Sequence, residues 1–101
     1  MFSDRRYFVY ILTNSTNRVL YTGVTNNLSR RLMEHQSGTG SSFTRKYRVG
    51  KLIYYEVHDS AYGAITREKK IKGGSRRAKE RLIQSVNPEW RDLAGDLVGE
   101  F

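Results

Sequence analysis

Residues 20–35 read LYTGVTNNLSRRLMEH, and the stretch changes period at the asparagine pair 26–27. Before the pair, β-branched and aromatic residues run without a helix former, as in a strand. After it, Leu28 and Leu32 recur four residues apart, the spacing of one helix face. Asparagine is a preferred helix cap, so the chain is expected to leave a strand over 18–25 and enter a helix over 26–36. Upstream, RRYFVYILT (5–13) is a second strand-like run, apolar on both alternating faces, which predicts a central strand. The turn cluster NSTN (14–17) lies between the two and makes them a hairpin.

Downstream, SGTGSSFTRKYRVG (37–50) reads as the longest loop, and KLIYYEVH (51–58) as a third strand. A helix is predicted over 59–72 behind Asp59 or Ser60. After the Gly73-Gly74 break, a third helix runs over 75–86 and stops at Asn87-Pro88. In the tail, Trp90 and Leu93 are expected to dock on the body. The order β-β-α-β-α-α predicts an α+β domain with a small, mostly antiparallel sheet. No repeat, low-complexity tract or linker divides the 101 residues, so a single domain over 1–101 is expected.

Composition narrows the chemistry. There is no cysteine, which excludes disulfides and thiolate metal sites and fits a reducing cytoplasm. Two histidines cannot build a histidine-rich zinc site, so any metal should be a hard cation on carboxylate oxygen. No apolar run approaches the length of a membrane span and the N-terminus lacks a secretory pattern, so a soluble, unexported protein is expected. Eighteen basic residues against ten acidic give a formal charge of +8, which favours a polyanionic partner, nucleic acid first.

The polar residues point to particular places. If Thr13 and Arg18 close a four-residue turn, Tyr10 stands opposite Tyr21 on one face of the hairpin. That pair is either an aromatic packing contact or two phenols of a site. On the first helix, His35 falls on the face of Leu28 and Leu32, Arg31 on its edge, and Arg30 toward solvent. A guanidinium at the rim of a core needs an anion, either a carboxylate of the protein or a bound phosphate. On the second helix, Ala61, Ala64, Ile65 and Ile71 form an apolar stripe with Glu68 in its middle. A carboxylate there requires a partner: a salt bridge to Arg31, or a single Mg²⁺ that keeps most of its waters. Gly23 marks a bulge, a close backbone approach or a simple turn. Arg45, Lys46 and Arg48 alternate with aromatics in the long loop, as a nucleic-acid contact would. Lys72 lies on the outer face of its helix, and Arg76 and Arg77 on a basic face that suits a phosphate track. Asn87 reads as a helix stop.

Taken in order, Tyr10, Tyr21-Thr22-Gly23, Arg31, His35 and Glu68 resemble the GIY-YIG nuclease superfamily, in particular its small stand-alone bacterial members. Phe8-Val9-Tyr10 matches the first tripeptide and Tyr21-Thr22-Gly23 the second. Arg31 matches the helix arginine, His35 the His-or-Tyr one turn later, and Glu68 the metal-binding glutamate; Asn87 aligns with an asparagine found in some members. The similarity spans residues 6–90, leaving 91–101 as a tail. It departs at Phe8 and Val9, which replace glycine and isoleucine, and at Val24, where the repair-nuclease branch carries a lysine.

The resemblance implies a three-stranded antiparallel sheet flanked by three helices, one Mg²⁺ (or Mn²⁺) on Glu68, and cleavage of phosphodiester bonds in nucleic acid, DNA ahead of RNA. Tyr10, Tyr21, Arg31, His35 and Glu68 would be its catalytic residues, and Gly23 and Asn87 structural ones. The competing reading keeps the fold and the basic surface but not the chemistry: a nucleic-acid-binding or adaptor module whose tyrosines pack and whose Arg31 and Glu68 form a closed pair.

Overall fold

The computed structural model describes residues 6–97; Arg5, expected to open the first strand, and the tail end 98–101 lie outside the described residues. Three strands, β1 (Tyr7–Thr13), β2 (Leu20–Thr25) and β3 (Lys51–His58), form an antiparallel sheet in the order β2-β1-β3. The helices are α1 (Leu28–Gln36), α2 (Ser42–Tyr47), α3 (Ala61–Lys72) and α4 (Arg76–Val86), followed by a 3₁₀ turn at Leu93–Leu97. The strand doubly covered by apolar residues is the central one, as its sequence requires. Its even positions, Phe8, Tyr10 and Leu12, pack with Leu28 and Leu32 of α1, and with Val49, Leu52, Leu93 and Leu97. Its odd positions, Val9 and Ile11, pack with Ile53, Tyr54, Ala64 and Ile71, and with Ile83 of α4.

Three expectations change. The loop over 37–50 contains the fourth helix, α2, where three had been expected. Its N-cap is Ser41, whose hydroxyl accepts from the Thr44 backbone N–H at 3.2 Å, and Thr44 and Val49 are fully buried. The hairpin turn takes six residues instead of four. The Asn14 carboxamide oxygen accepts from the N–H groups of Arg18 (2.9 Å) and Val19 (3.2 Å), and Asn17 adopts a left-handed φ of 60°. Thr13 therefore pairs with Leu20, Leu12 with Tyr21 and Tyr10 with Gly23. Because the slip is two residues, Tyr10 and Tyr21 keep a common face but become diagonal neighbours. On α3 the buried line is Ala64, Glu68 and Ile71, while Ala61 and Ile65, expected within it, are exposed.

The irregularity that Gly23 suggested lies elsewhere. Pairing of β1 with β3 shifts between Ile11 and Leu12, which pair with Tyr54 and Leu52, so Ile53 is the additional residue. Gly23 serves a close approach: a Cβ there would stand 2.5 Å from both Cζ and the hydroxyl oxygen of Tyr10. The phenol lies over the glycine, and Gly23→Ala should displace it at a cost of about 1–3 kcal/mol, the usual range for overpacking. Urea denaturation of the variant measures that cost; unchanged stability would mean that the ring does not rest there.

Candidate active site

Tyr10 is almost completely buried, and its hydroxyl reaches His35 Nε2 at 3.2 Å. His35 Nδ1 lies 2.9 Å from the Thr44 hydroxyl, which donates to the Ser41 carbonyl at 3.0 Å. With the Thr44 proton on the Ser41 carbonyl, His35 would carry its own proton on Nδ1 and accept from Tyr10 on Nε2, a tautomer inferred from the hydrogen-bond partners. The chain ties the central strand to α1 and α2. It is closely packed: a Cβ on Gly40 would stand 2.5 Å from His35 Nδ1. Burial pushes the Tyr10 phenol well above its ordinary range, with Tyr21 adding to the effect. Burial, and after it the Arg31 guanidinium, lowers the His35 pKa.

Tyr21 is half-buried beside this chain. Its ring centroid is 6.4 Å from that of Tyr10 and 5.4 Å, edge-on, from that of His35. Arg31 lies near enough to act electrostatically on both Tyr10 and His35. Its Nε lies 3.3 Å from Glu34 Oε1 yet is buried without a formed hydrogen bond, leaving a guanidinium with an unsatisfied donor. Arg30 is more exposed and stands 3.9 Å from the same glutamate.

Glu68 is 8% exposed, and its Oε2 meets Lys72 Nζ at 2.8 Å, one helical turn away. The bond to Glu68 raises the Lys72 pKa, and Tyr21 adds a weaker push in the same direction. The salt bridge between Arg31 and Glu68 that the sequence allowed is not formed: each has a partner on its own helix. Glu68 also contributes to the raised pKa of Tyr10, which places all these groups within one electrostatic neighbourhood. Among the described residues no three His, Cys, Asp or Glu side chains cluster as a metal cage. A lone carboxylate suits a hard cation that keeps most of its waters and takes further oxygens from a phosphate.

The other basic residues divide. Arg45, Lys46 and Arg48 are grouped on and just after α2, and Arg45 and Arg48 border a cavity of about 420 Å³ behind His35. Arg77 is exposed on α4. Arg76 is engaged at home, donating to the carbonyls of Arg18 (2.5 Å) and Asn17 (2.8 Å) and pairing with Glu80 at 2.8 Å. It therefore holds the hairpin turn. Asn87 is buried; its Nδ2 donates to the Ile53 and Arg91 carbonyls at 3.0 and 2.9 Å, pinning the tail to β3.

The sequence reading passed over two features. Thr44, which orients His35, lay in a segment read as loop. Arg67 of α3 forms a forked pair with Glu56 of β3 at 2.9–3.1 Å. Tyr54 donates to Glu56 as well, and His58 Nε2 lies 2.9 Å from it. Burial disfavours the Glu56 carboxylate, but its hydrogen bonds to Arg67, Tyr54 and His58 outweigh that and lower its pKa. The Tyr54 phenol, buried against that carboxylate, is pushed up to about 12. The signal was the alternation Tyr54-x-Glu56-x-His58, which puts three polar side chains on one strand face.

Residues 6–81 match the model of the GIY-YIG catalytic domain. A UPF0213 protein of Syntrophus aciditrophicus is 46% identical over 83 residues, covering 81% of this chain and 93% of its own. A UPF0213 protein of Natronomonas pharaonis is 42% identical over 77 residues, 76% of this chain and 89% of its own. The solution NMR structure of a UPF0213 protein from Bacillus halodurans superposes with a TM-score of 0.56 at 29% identity, covering 93% of this chain and 97% of that one. These names state no activity.

The lowered His35 pKa has a consequence for stability. The folded state binds its proton less readily than the unfolded chain, whose histidine titrates near 6.5. This contribution is therefore fully present above about pH 7 and is lost as pH falls toward the folded-state pKa. Denaturation midpoints of the wild type should decline between about pH 7 and 5 relative to those of His35→Gln. Parallel pH profiles would contradict a neutral, buried His35.

Proposed function

This chain belongs to the GIY-YIG catalytic-domain family, and on that premise we propose that it is an endonuclease hydrolysing phosphodiester bonds in nucleic acid, DNA ahead of RNA, with a single divalent cation held by Glu68. The observation that supports the reading is the packing of Tyr21 against the Tyr10–His35 pair, with Arg31 and Glu68 both acting electrostatically on Tyr10 and neither locked to the other. A closed Arg31–Glu68 pair would have favoured the competing binding module; that pair is absent, and Lys72 rather than Arg31 closes on Glu68.

The residues divide the work by exposure. Tyr10, buried and donating to His35, orients its neighbours and holds its own proton. Tyr21, half-buried at the mouth, orients the attacking water; after releasing its own phenolic proton to solvent it takes the water's proton as phenolate, while the water oxygen bonds to phosphorus and the bond to the leaving sugar oxygen breaks. Arg31, whose side chain is 39% exposed, brings the exposed end of its guanidinium to the phosphoryl oxygens as negative charge gathers there. Lys72 partners the Glu68 carboxylate one helical turn away and, being itself exposed, can swing aside into solvent when a cation takes its place. Glu68 would hold Mg²⁺ or Mn²⁺ through carboxylate oxygen, and the bound cation would supply Lewis-acid polarisation of the phosphate. The +8 charge draws the polyanion in. No helix among the described residues is long and apolar enough to cross a membrane.

A cleavage assay with Mg²⁺ across DNA and RNA substrates tests the proposal. Glu68→Gln should abolish cleavage and leave the melting temperature almost unchanged, since only an exposed lysine loses its partner. Arg31→Ala should lower kcat/KM by on the order of 10² or more, and Arg30→Ala should stay near wild type. No cleavage by the wild type on any substrate, or equal losses for the two arginines, would overturn this assignment.

A further inference from the structure

One surface starts at Tyr21 and extends beyond the groups that act in hydrolysis as described above. From Tyr21 a line of aromatic rings runs out along α2: Tyr21 to Phe43 is 5.8 Å between centroids, and Phe43 to Tyr47 is 4.8 Å. Phe43 and Tyr47, four residues apart, share one face of the helix, and each is 40% exposed. Lys46 Nζ lies 5.3 Å from the Tyr47 ring centroid. The whole segment 37–50 carries Arg45, Lys46 and Arg48 and no carboxylate, so the segment that bears the two exposed rings is itself purely basic.

Ring faces set among cations fit a polyanion that offers aromatic faces of its own. A duplex satisfies only the charge, because its base faces are covered by their stacked neighbours. A single strand satisfies both, since each unpaired base can lie on a ring while its phosphates meet the cations. The rings are too close together for a base to enter between them, so bases meet their outer, exposed faces. We propose that Tyr21, Phe43 and Tyr47 form a stacking platform for unpaired bases flanking the reactive phosphodiester, making single-stranded nucleic acid the substrate class. This rests on the hydrolase reading for the position of the reactive phosphate, and on the rings and charges alone for the binding.

Binding measured in EDTA, where metal-dependent cleavage is silent, separates the two. The probes are short single-stranded DNA and RNA carrying a fluorescent base analogue, a blunt duplex of the same sequence, and an abasic strand of equal length and charge. The intact strand, of either sugar, should bind on the order of tenfold or more tighter than the abasic strand and the duplex, with quenching of the analogue. Phe43→Leu and Tyr47→Leu, which keep an apolar side chain of similar reach, should each remove quenching and lower affinity on the order of tenfold with an unchanged salt slope. Equal affinity for intact and abasic strands, or for duplex and single strand, overturns the proposal. The abasic comparison uses the wild type and depends on no variant folding. Loss of base dependence alongside cleavage defeats this inference and spares the hydrolase reading; base-dependent binding with no cleavage does the reverse.

Discussion

The hydrogen bond from the Tyr10 hydroxyl to His35 Nε2 joins the middle of the sheet to α1, and through Thr44 to α2. It forms only because Tyr10 can lie across Gly23, where any side chain would collide with the phenol. That single clearance explains why a glycine follows Tyr21 at two residues. Both are on the face that carries Tyr10; one leaves room for the buried ring and the other stands beside it. The arrangement is costly to disturb, because breaking the bond strands a buried imidazole nitrogen as well as a phenol, a penalty of about 1–3 kcal/mol for each unsatisfied group.

Around this buried chain the charges are arranged so that the groups facing the site are the loosely held ones. Glu56 and Arg67 are joined by a forked pair away from the mouth, fastening α3 to β3 one residue before Glu68. Arg76 and Asn87 are likewise occupied in holding the hairpin turn and the tail. Arg31 and Glu68 instead have partners within their own helices, at 3.3 Å without hydrogen-bond geometry and through an exposed lysine, respectively. A phosphate or cation can replace such partners at small cost, whereas the Glu56–Arg67 pair has no reason to open.

Much of this was legible in the sequence because it rests on local rules. Asn27 caps α1, and its buried line Leu28, Leu32 and His35 follows helical spacing. Glu68 falls in the buried line of α3 as its position implied. The central place of β1 followed from its two apolar faces. What was not legible depended on side chains bonding beyond their own element. The hairpin register turned on the Asn14 carboxamide capturing two backbone N–H groups, which lengthened the turn by two residues. Helix α2 was hidden by the glycines and serines that flank it, although Ser41 was acting as a cap. The choice of Lys72 over Arg31 as the partner of Glu68 is a matter of spatial reach that helical phase alone does not decide.

The central claim is a division between two tyrosines of one face: Tyr10 supports and Tyr21 reacts. Steady-state cleavage by Tyr10→Phe and Tyr21→Phe tests it most directly, since each removes one hydroxyl and keeps the ring. The account predicts that Tyr21→Phe lowers kcat by on the order of 10² or more, while Tyr10→Phe stays within about tenfold of wild type and loses stability instead. A kcat that collapses in Tyr10→Phe and survives in Tyr21→Phe would contradict it.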